Sequence, residues 1–307
     1  MKLSQLRHLL AVAEAGTVRQ AAKNVHRSQS SVTKSIQSLE QELGVELLHR
    51  ASHGVTPTAA GKALIARAKS IEAELRQARS EIETARGAGA GEIRLSASPT
   101  VAMGLLPKAI VGFKRTHPQV TFQIQEGSYP DVLPAVRTGE LDFALCLVPG
   151  RPRDDELEFR ILLRDQVTPA VRTGHPLASR GRLTVADLAK LDLDWVIYRR
   201  SHTGRDIFEQ TFLAAGHAPP KSAIECTSFA CALALVEAGD CVTLVPAQLF
   251  AERRRNPSIT ALAMDSPMPA WNVMVISRAQ HRLAPVCLAF LRHLHRIARP
   301  RSAGDGR

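Results

Sequence analysis

The stretch 17–43, TVRQAAKNVHRSQSSVTKSIQSLEQEL, divides into two short helices about a turn at His26 and Arg27 and surrounds them with cations. Thr17-Val18-Arg19-Gln20 fits a capping box for the first of the two, which turns Val18, Ala21, Ala22 and Val25 to one side. Ser28 is placed to cap the next helix from Gln29. There Val32, Ile36, Leu39 and Leu43 recur at steps of four, three and four, so they bury one face. The opposite face presents Gln29, Ser30, Thr33, Lys34 and Gln37. Upstream, a helix from about Ser4 carries Leu6, Leu9, Leu10 and Ala13 on one side and stops at Gly16, a residue suited to a C-terminal cap. Between Glu14 and Glu40 no acidic residue intervenes, while Arg19, Lys23, His26, Arg27 and Lys34 do.

Helices joined in this way form a helix-turn-helix, whose later helix lies in the major groove of DNA with its first residues at base edges. Gln pairs bidentately with adenine, Ser and Thr meet bases or thymine methyls, and Lys reaches guanine or phosphate. Gln29, Ser30, Thr33, Lys34 and Gln37 are therefore the candidate readers, with Arg19 and Arg27 beside them. Any amphipathic helix pair shows small and basic residues outside. The caps, the acid-free run and the polar start of the third helix set this pair apart.

These residues resemble the LysR-type transcriptional regulators. Ala21-Ala22, Ser28-Gln29-Ser30-Ser31-Val32-Thr33, Ile36, Leu39-Glu40 and Leu43-Gly44 look like the helix-turn-helix signature of that family, and Leu47-Leu48-His49-Arg50 with Gly54-Val55-Thr56-Pro57-Thr58-Ala59-Ala60-Gly61 resembles its wing. Ser30 stands where a proline is common, Leu48 where a phenylalanine is usual, and Pro57 and Ala59 replace the usual leucine and proline. The resemblance implies a winged helix-turn-helix at 1–57, with Arg50 and His53 on the wing facing DNA.

The chain has 307 residues, 45% of them hydrophobic, and a net charge of +11, which favours a polyanionic partner. Residues 1–91 carry +5 and the remaining 216 carry +6, so charge density is highest at the N-terminal end. Arg292, Arg296, Arg299 and Arg301 form a basic tail, read as solvated surface. No run approaches the roughly 18 apolar residues that span a bilayer, and Lys2, Arg7 and His8 interrupt the apolar start in a way no signal peptide shows. A cytoplasmic location without membrane contact is expected. Cys146, Cys226, Cys231, Cys241 and Cys287 stand among apolar residues, as reduced core thiols do. The pairs His49 and His53, or His293 and His295, lack a third nearby ligand, so neither metal nor cofactor is expected.

From Thr58 the period becomes a heptad: Leu64, Ala68, Ile71, Leu75, Ala78, Ile82 and Ala85 form a seam with charges mainly outside it. A helix over 58–86 is about 43 Å long at 1.5 Å per residue, longer than one small domain covers, so the seam fits a partner helix better than the chain's own next domain. In the family this helix links and pairs the DNA-binding heads. It ends in Gly87-Ala88-Gly89-Ala90-Gly91, a flexible hinge, and makes 58–91 a linker.

Beyond the hinge, strands at 93–97, 120–125 and 143–147 alternate with helices near 101–116 and 129–138, a βαβαβ series with a parallel sheet. A second series has strands near 166–171, 195–197, 223–226 and 242–245, with helices near 185–190, 205–215 and 229–237. Leu105-Leu106-Pro107, Phe113, Pro118, Gly139-Glu140-Leu141-Asp142 and Leu235-Val236-Glu237-Ala238-Gly239 resemble the effector-binding half of the family, an α/β two-lobed domain of the type II periplasmic-binding-protein fold. That implies an effector domain over 92–300, with one lobe about 92–160 and 267–300, the other about 161–266, and a tail at 301–307. Ser96-Ala97-Ser98-Pro99 and Glu126-Gly127-Ser128-Tyr129-Pro130 look nearest to regulators of aromatic sulfonate or carboxylate catabolism.

In open parallel sheets, ligands sit beyond the carboxyl ends of the strands, where helix N-termini offer N–H groups. Ser98 and Thr100 follow the first strand and Ser128 the second. Ser201, His202 and Thr203 follow the Trp195 strand, and Thr227 and Ser228 precede the Phe229 helix. Ser and Thr are also good helix caps, but convergence from both lobes favours a small organic anion. Arg199 or Arg200 would add charge, and Tyr129 or Phe229 would wall an aromatic ring. No glycine-rich phosphate loop, nucleophile elbow or metal triad supports an enzyme, and a solute carrier for export would not carry a DNA-binding head. The sequence thus specifies a ligand-responsive regulator of promoter DNA, a homodimer or, by resemblance, a homotetramer, with RNA polymerase as a further partner.

Overall fold

The computed structural model describes residues 1–51, 54–85, 90–150, 152–199, 203–250, 258–266 and 268–298. The chain divides into two compact units, Met1–Ile82 with Arg137–Glu140, and Glu83–Val136 with Leu141–Arg307.

The first unit contains α1 (Leu3–Ala15), α2 (Val18–Asn24), α3 (Gln29–Leu43), a hairpin of β1 (Leu48–Ala51) and β2 (Gly54–Pro57), and the long helix α4 (Ala59–Ala85). Local chemistry sets each boundary. Gly16 ends α1 in the left-handed conformation at φ 66°, its N–H donating to the Val12 carbonyl. Ser28 Oγ accepts from the Ser31 N–H at 3.2 Å and opens α3 at Gln29. Thr17 Oγ1 accepts from the Gln20 N–H at 3.3 Å, but the Gln20 side chain turns forward to Asn24, so the capping box expected of α2 forms only in half.

One core joins α1, α2, α3 and the hairpin through Leu9, Val12, Ala21, Val32, Ile36 and Leu39. The buried side of α1 runs through Leu6, Leu9 and Val12, leaving Leu10 and Ala13 at its margin. Leu43, expected on the buried face of α3, is 41% exposed. It is the last helical residue, and Gly44 turns the chain away at φ 69°. The wing is fixed to the end of α1: the Val55 N–H donates to the Gly16 carbonyl at 2.8 Å. A Cβ on Gly54, whose φ is 136°, would lie 2.8 Å from that same oxygen.

In the second unit the order is β3 (Gly91–Ala97), α5 (Pro99–Met103), α6 (Leu105–Thr116), β4 (Val120–Glu126), α7 (Leu133–Arg137), β5 (Phe143–Val148), β6 (Leu157–Arg172), α8 (Val185–Lys190), β7 (Asp194–Ile197), α9 (Thr203–Ala214), β8 (Ser222–Glu225), α10 (Phe229–Ala238), β9 (Cys241–Pro246), β10 (Ile259–Ala261), β11 (Ala270–Arg278) and α11 (Pro285–Ala298). The sheet runs β4-β3-β5-β11-β6-β9-β7-β8, with β10 on β6. β3 pairs in parallel with β4 and β5, and β7 with β8 and β9. These are the first expected series and the last three strands of the second; the strand expected near 166–171 as its first member is antiparallel to β9.

The sheet is nonetheless mixed, because antiparallel β6 and β11 join the series. β6 pairs with β11 over 157–166 and with β9 over 167–170, so one strand serves both lobes. The sequence showed only its second half. In the first half Arg160, Arg164 and Asp165 interrupt the alternation, and the ladder shifts register between Val273 and Met274. The expected helix at 101–116 is two, α5 and α6, parted at Gly104. α11 lies where a basic tail was read. Arg292 and Arg296 are indeed exposed, but Cys287, Phe290 and Leu294 on its other side are fully buried. Of the five cysteines expected in the core, Cys146 and Cys287 are buried, Cys226 and Cys241 half-buried and Cys231 exposed. Cys231 stands two residues after Phe229, on the opposite side of α10. Arg86, the hinge residues 87–89, Arg299 and Arg301 lie outside the described residues.

The start of α4 admits no side chain at Gly61. Its N–H donates to Thr58 Oγ1 at 2.9 Å, and a Cβ would lie 2.0 Å from the Leu47 carbonyl oxygen. Gly61→Ala is expected to destabilise the first unit by about 1–3 kcal/mol, the usual scale of overpacking. A fall in the urea midpoint at unchanged m-value checks this.

Candidate functional site

The third helix of the first unit carries the residues expected to read DNA. Gln29, Ser30, Lys34 and Gln37 are exposed and Thr33 is half-buried. Ser30, Lys34 and Gln37 lie opposite Val32, Ile36 and Leu39, Thr33 lies at the flank, and Gln29, seven residues before Ile36, is exposed as the first residue of the helix. Arg19 on α2, Arg27 in the turn and Arg50 on β1 are exposed. His53 lies outside the described residues. His26, in the turn before α3, takes φ 52°, a left-handed conformation that His tolerates better than most side chains.

Two side chains set the attitude of α3. Glu40 Oε1 accepts from the Leu47 and Leu48 N–H groups at 2.9 and 3.3 Å, which ties the helix to the start of the wing. His8 Nδ1 lies 2.7 Å from Ser35 Oγ and links α1 to α3. Burial, with Arg27 nearby, lowers the His8 pKa from its usual 6.5.

In the second unit, one cavity of about 600 Å³, part of it open to solvent, collects hydroxyls from distant parts of the chain. Ser98, Thr100, Ser128, Thr203 and Thr243 line it, among apolar walls that include Val167, Ile207, Phe208 and Phe229. The Ser98 side chain makes no cap hydrogen bond to α5. Its Oγ lies 3.2 Å from Thr100 Oγ1 instead. Thr203 donates its hydroxyl to the Tyr129 carbonyl at 2.7 Å, a bond from the start of α9 to the segment after β4.

The other expected residues are placed differently. Thr227 and Ser228 are exposed and do not line the cavity, and Ser228 Oγ caps α10 by accepting from the Cys231 N–H at 3.2 Å. Ser201, His202 and Arg200 lie outside the described residues. Arg199 is exposed and Tyr129 contributes its carbonyl rather than a wall, whereas Phe229 does line the cavity. Among the described residues, no Lys, Arg or His lines it.

Sequence reading missed Tyr198 and Thr243. Both follow from the fold: Tyr198 directly succeeds β7, and Thr243 lies within β9 beside it, its hydroxyl donating to the Val196 carbonyl at 2.8 Å. Burial raises the Tyr198 pKa well above the usual phenol range, so it stays a neutral donor. Gly204 makes room for it, since a Cβ there would lie 2.2 Å from the Tyr198 ring. Gly204, one residue into the twelve-residue α9, was the available signal.

A helix-turn-helix with an exposed polar reading face, joined to an α/β domain with a hydroxyl-lined cavity, defines a DNA-binding regulator controlled by a small molecule. Residues 3–62 match the bacterial regulatory helix-turn-helix protein model of the lysR family, and residues 86–299 match the LysR substrate binding domain. The chain is 30% identical over 286 residues to the transcriptional dual regulator GltC of Bacillus subtilis (strain 168), covering 93% of each chain. It is also 30% identical over 296 residues to the SDS degradation transcriptional activation protein of Pseudomonas sp. (strain ATCC 19151), covering 94% of this chain and 93% of that one. Full-length CbnR complexed with its target DNA superposes with a TM-score of 0.72 at 27% identity, over 97% of this chain and 100% of that one. The chain belongs to the LysR family of transcriptional regulators, which are not enzymes.

His8 provides a test of how α3 is held. A depressed pKa means that the fold favours the neutral ring, so the contribution is complete above the usual 6.5 and is lost as pH falls below it. Acidification from about pH 7.5 to about pH 5.5 should therefore lower the urea midpoint of the wild-type protein more than that of His8→Asn. Parallel pH profiles would show that His8 plays no such part.

Proposed function

We propose that this regulator reads promoter DNA with the exposed face of α3 and answers to a small organic anion in the hydroxyl-lined cavity. Gln29, Ser30, Thr33, Lys34 and Gln37 meet base edges, while Arg19, Arg27, Arg50 and His53 hold phosphates. The observation that carries the reading is the two-sidedness of α3: three aliphatic residues in the core and an uncharged or cationic polar row in solvent. Gln29→Ala and Thr33→Ala should each lose about 1–3 kcal/mol on the specific duplex only. Arg50→Ala should weaken binding to all duplexes alike and flatten the salt dependence. Gel shifts on specific and scrambled duplexes check this, and equal losses on both for Gln29→Ala would remove its base-reading role.

For the effector, neutral donors do the work that a cation does elsewhere. Ser98, Thr100, Ser128, Tyr198 and the N–H groups at the start of α9 converge on a cavity whose walls are largely apolar, which suits a monoanion with an apolar body. The aromatic carboxylates and sulfonates are the first class to screen. Boundaries near 57, 91 and 300, with lobes dividing near 160 and 267, belong to the same reading. So do the seam of α4 as a contact between copies, its Ile71 and Ile82 being 37% and 60% exposed, assembly to a tetramer, contact with RNA polymerase, and a cytoplasmic location. No helix among the described residues is long and apolar enough to cross a membrane.

Thr100→Val and Ser128→Ala should leave effector-free DNA affinity within about twofold and abolish transcriptional induction, because a ligand moves the regulator only by its differential affinity, about 1–3 kcal/mol of coupling. A reporter assay paired with calorimetry decides. Normal response in both variants places the effector elsewhere.

A further inference from the structure

Two other stretches of the chain, 93–125 and 266–304, contain no acidic residue. They are remote in sequence, yet the fold lays their helices together. α6 and α11 share one core, in which Phe113 meets Phe290 edge to face at 5.3 Å. At Gly112 the helices approach so closely that a Cβ would lie 3.0 Å from His293 Nε2.

Each helix buries its apolar side, Leu106, Ala109 and Phe113 on α6 and Cys287, Phe290 and Leu294 on α11. Lys108 and Arg115 are seven residues apart, Arg292 and Arg296 four apart, so each pair shares a helix face. All four are exposed. Among the described residues, Arg115, Arg292 and Arg296 enter no ion pair. Lys114 behaves otherwise, turning its ammonium onto the Pro118 and Val120 carbonyls. Cations on two helices packed side by side, without acids on either helix, raise the local potential and attract a polyanion.

We propose that the α6/α11 face is a second DNA-contacting surface, which holds the phosphate backbone without reading sequence. The choice of duplex DNA rests on charge complementarity and on the family's established partner. B-DNA offers one phosphate per about 1.7 Å of axis, and the guanidinium fork of Arg matches phosphate oxygens. The charge of +6 beyond residue 91, no smaller than the +5 before it, is then explained. The surface lies outside the helix-turn-helix, and its contribution is measured by salt dependence rather than by base substitution.

The test uses the full chain and a 60-base-pair duplex of mixed sequence, with affinity followed by fluorescence anisotropy from about 50 to 300 mM salt. One variant carries Arg115→Gln, Arg292→Gln and Arg296→Gln. A control with the same net charge carries Arg182→Gln, Lys190→Gln and Lys221→Gln, all exposed positions elsewhere in the second unit. Each phosphate contact contributes about 0.9 to the slope of log affinity against log salt. The first variant should therefore be shallower by about three, and the wild type should lose about 40-fold more affinity than it between 50 and 200 mM. The control should keep the wild-type slope. Unchanged slope in the first variant, or an equal reduction in both, overturns the proposal. If promoter activation falls in a reporter while the slope stays unchanged, the face belongs to an acidic protein surface instead.

Discussion

Everything in the first unit depends on the burial of Val32, Ile36 and Leu39 along one side of α3. A fully buried aliphatic side chain contributes about 1.5–3 kcal/mol, so these three together rival the net stability of a small domain. The helix therefore has one permitted rotation about its axis, and the polar row from Gln29 to Gln37 faces out as a consequence. Smaller contacts refine the placement. Glu40 anchors the helix to the wing, His8 anchors it to α1, and Gly54 lets the wing pack on the Gly16 carbonyl.

The second unit uses a different constraint. Because β6 pairs first with β11 and then with β9, the two βα series cannot be built independently, and the cavity lies where both supply loop ends. Thr203 donates to the Tyr129 carbonyl across that region. A hydrogen bond of this kind is worth about 0.5–1.5 kcal/mol net, close to the coupling energies that connect ligands to conformation. The cavity and the bond beside it are thus matched in scale.

What the sequence disclosed follows from how local its causes are. Ser28, Gly16 and the spacing of Val32, Ile36 and Leu39 act within a few residues, so the helices of the helix-turn-helix and their boundaries were legible in the sequence. Ser98, Thr100, Ser128 and Thr203 were legible because each lies within six residues of a strand's carboxyl end, at a strand-to-helix junction. Tyr198 and Thr243 were not: one is an aromatic beside a strand end and the other lies inside a strand, and only the pairing of β7 with β9 brings them to the cavity. Ser228 shows the reverse error, a hydroxyl at the right kind of junction whose bond goes to its own helix. β11 and α11 escaped because a strand buried on both faces has no alternation to see, and because cations on an exposed helix face resemble a solvated tail.

The central claim is that α3 reads sequence. Its most direct test is selection of duplexes from a randomised library by the purified full chain, with the bound pool sequenced. A reading helix presented by paired heads predicts enrichment of a two-part motif whose halves are related by two-fold symmetry and centred about one or more helical turns apart. A pool that stays random at salt concentrations where binding is still measurable would contradict the claim and leave only the electrostatic attraction that any cationic surface shows.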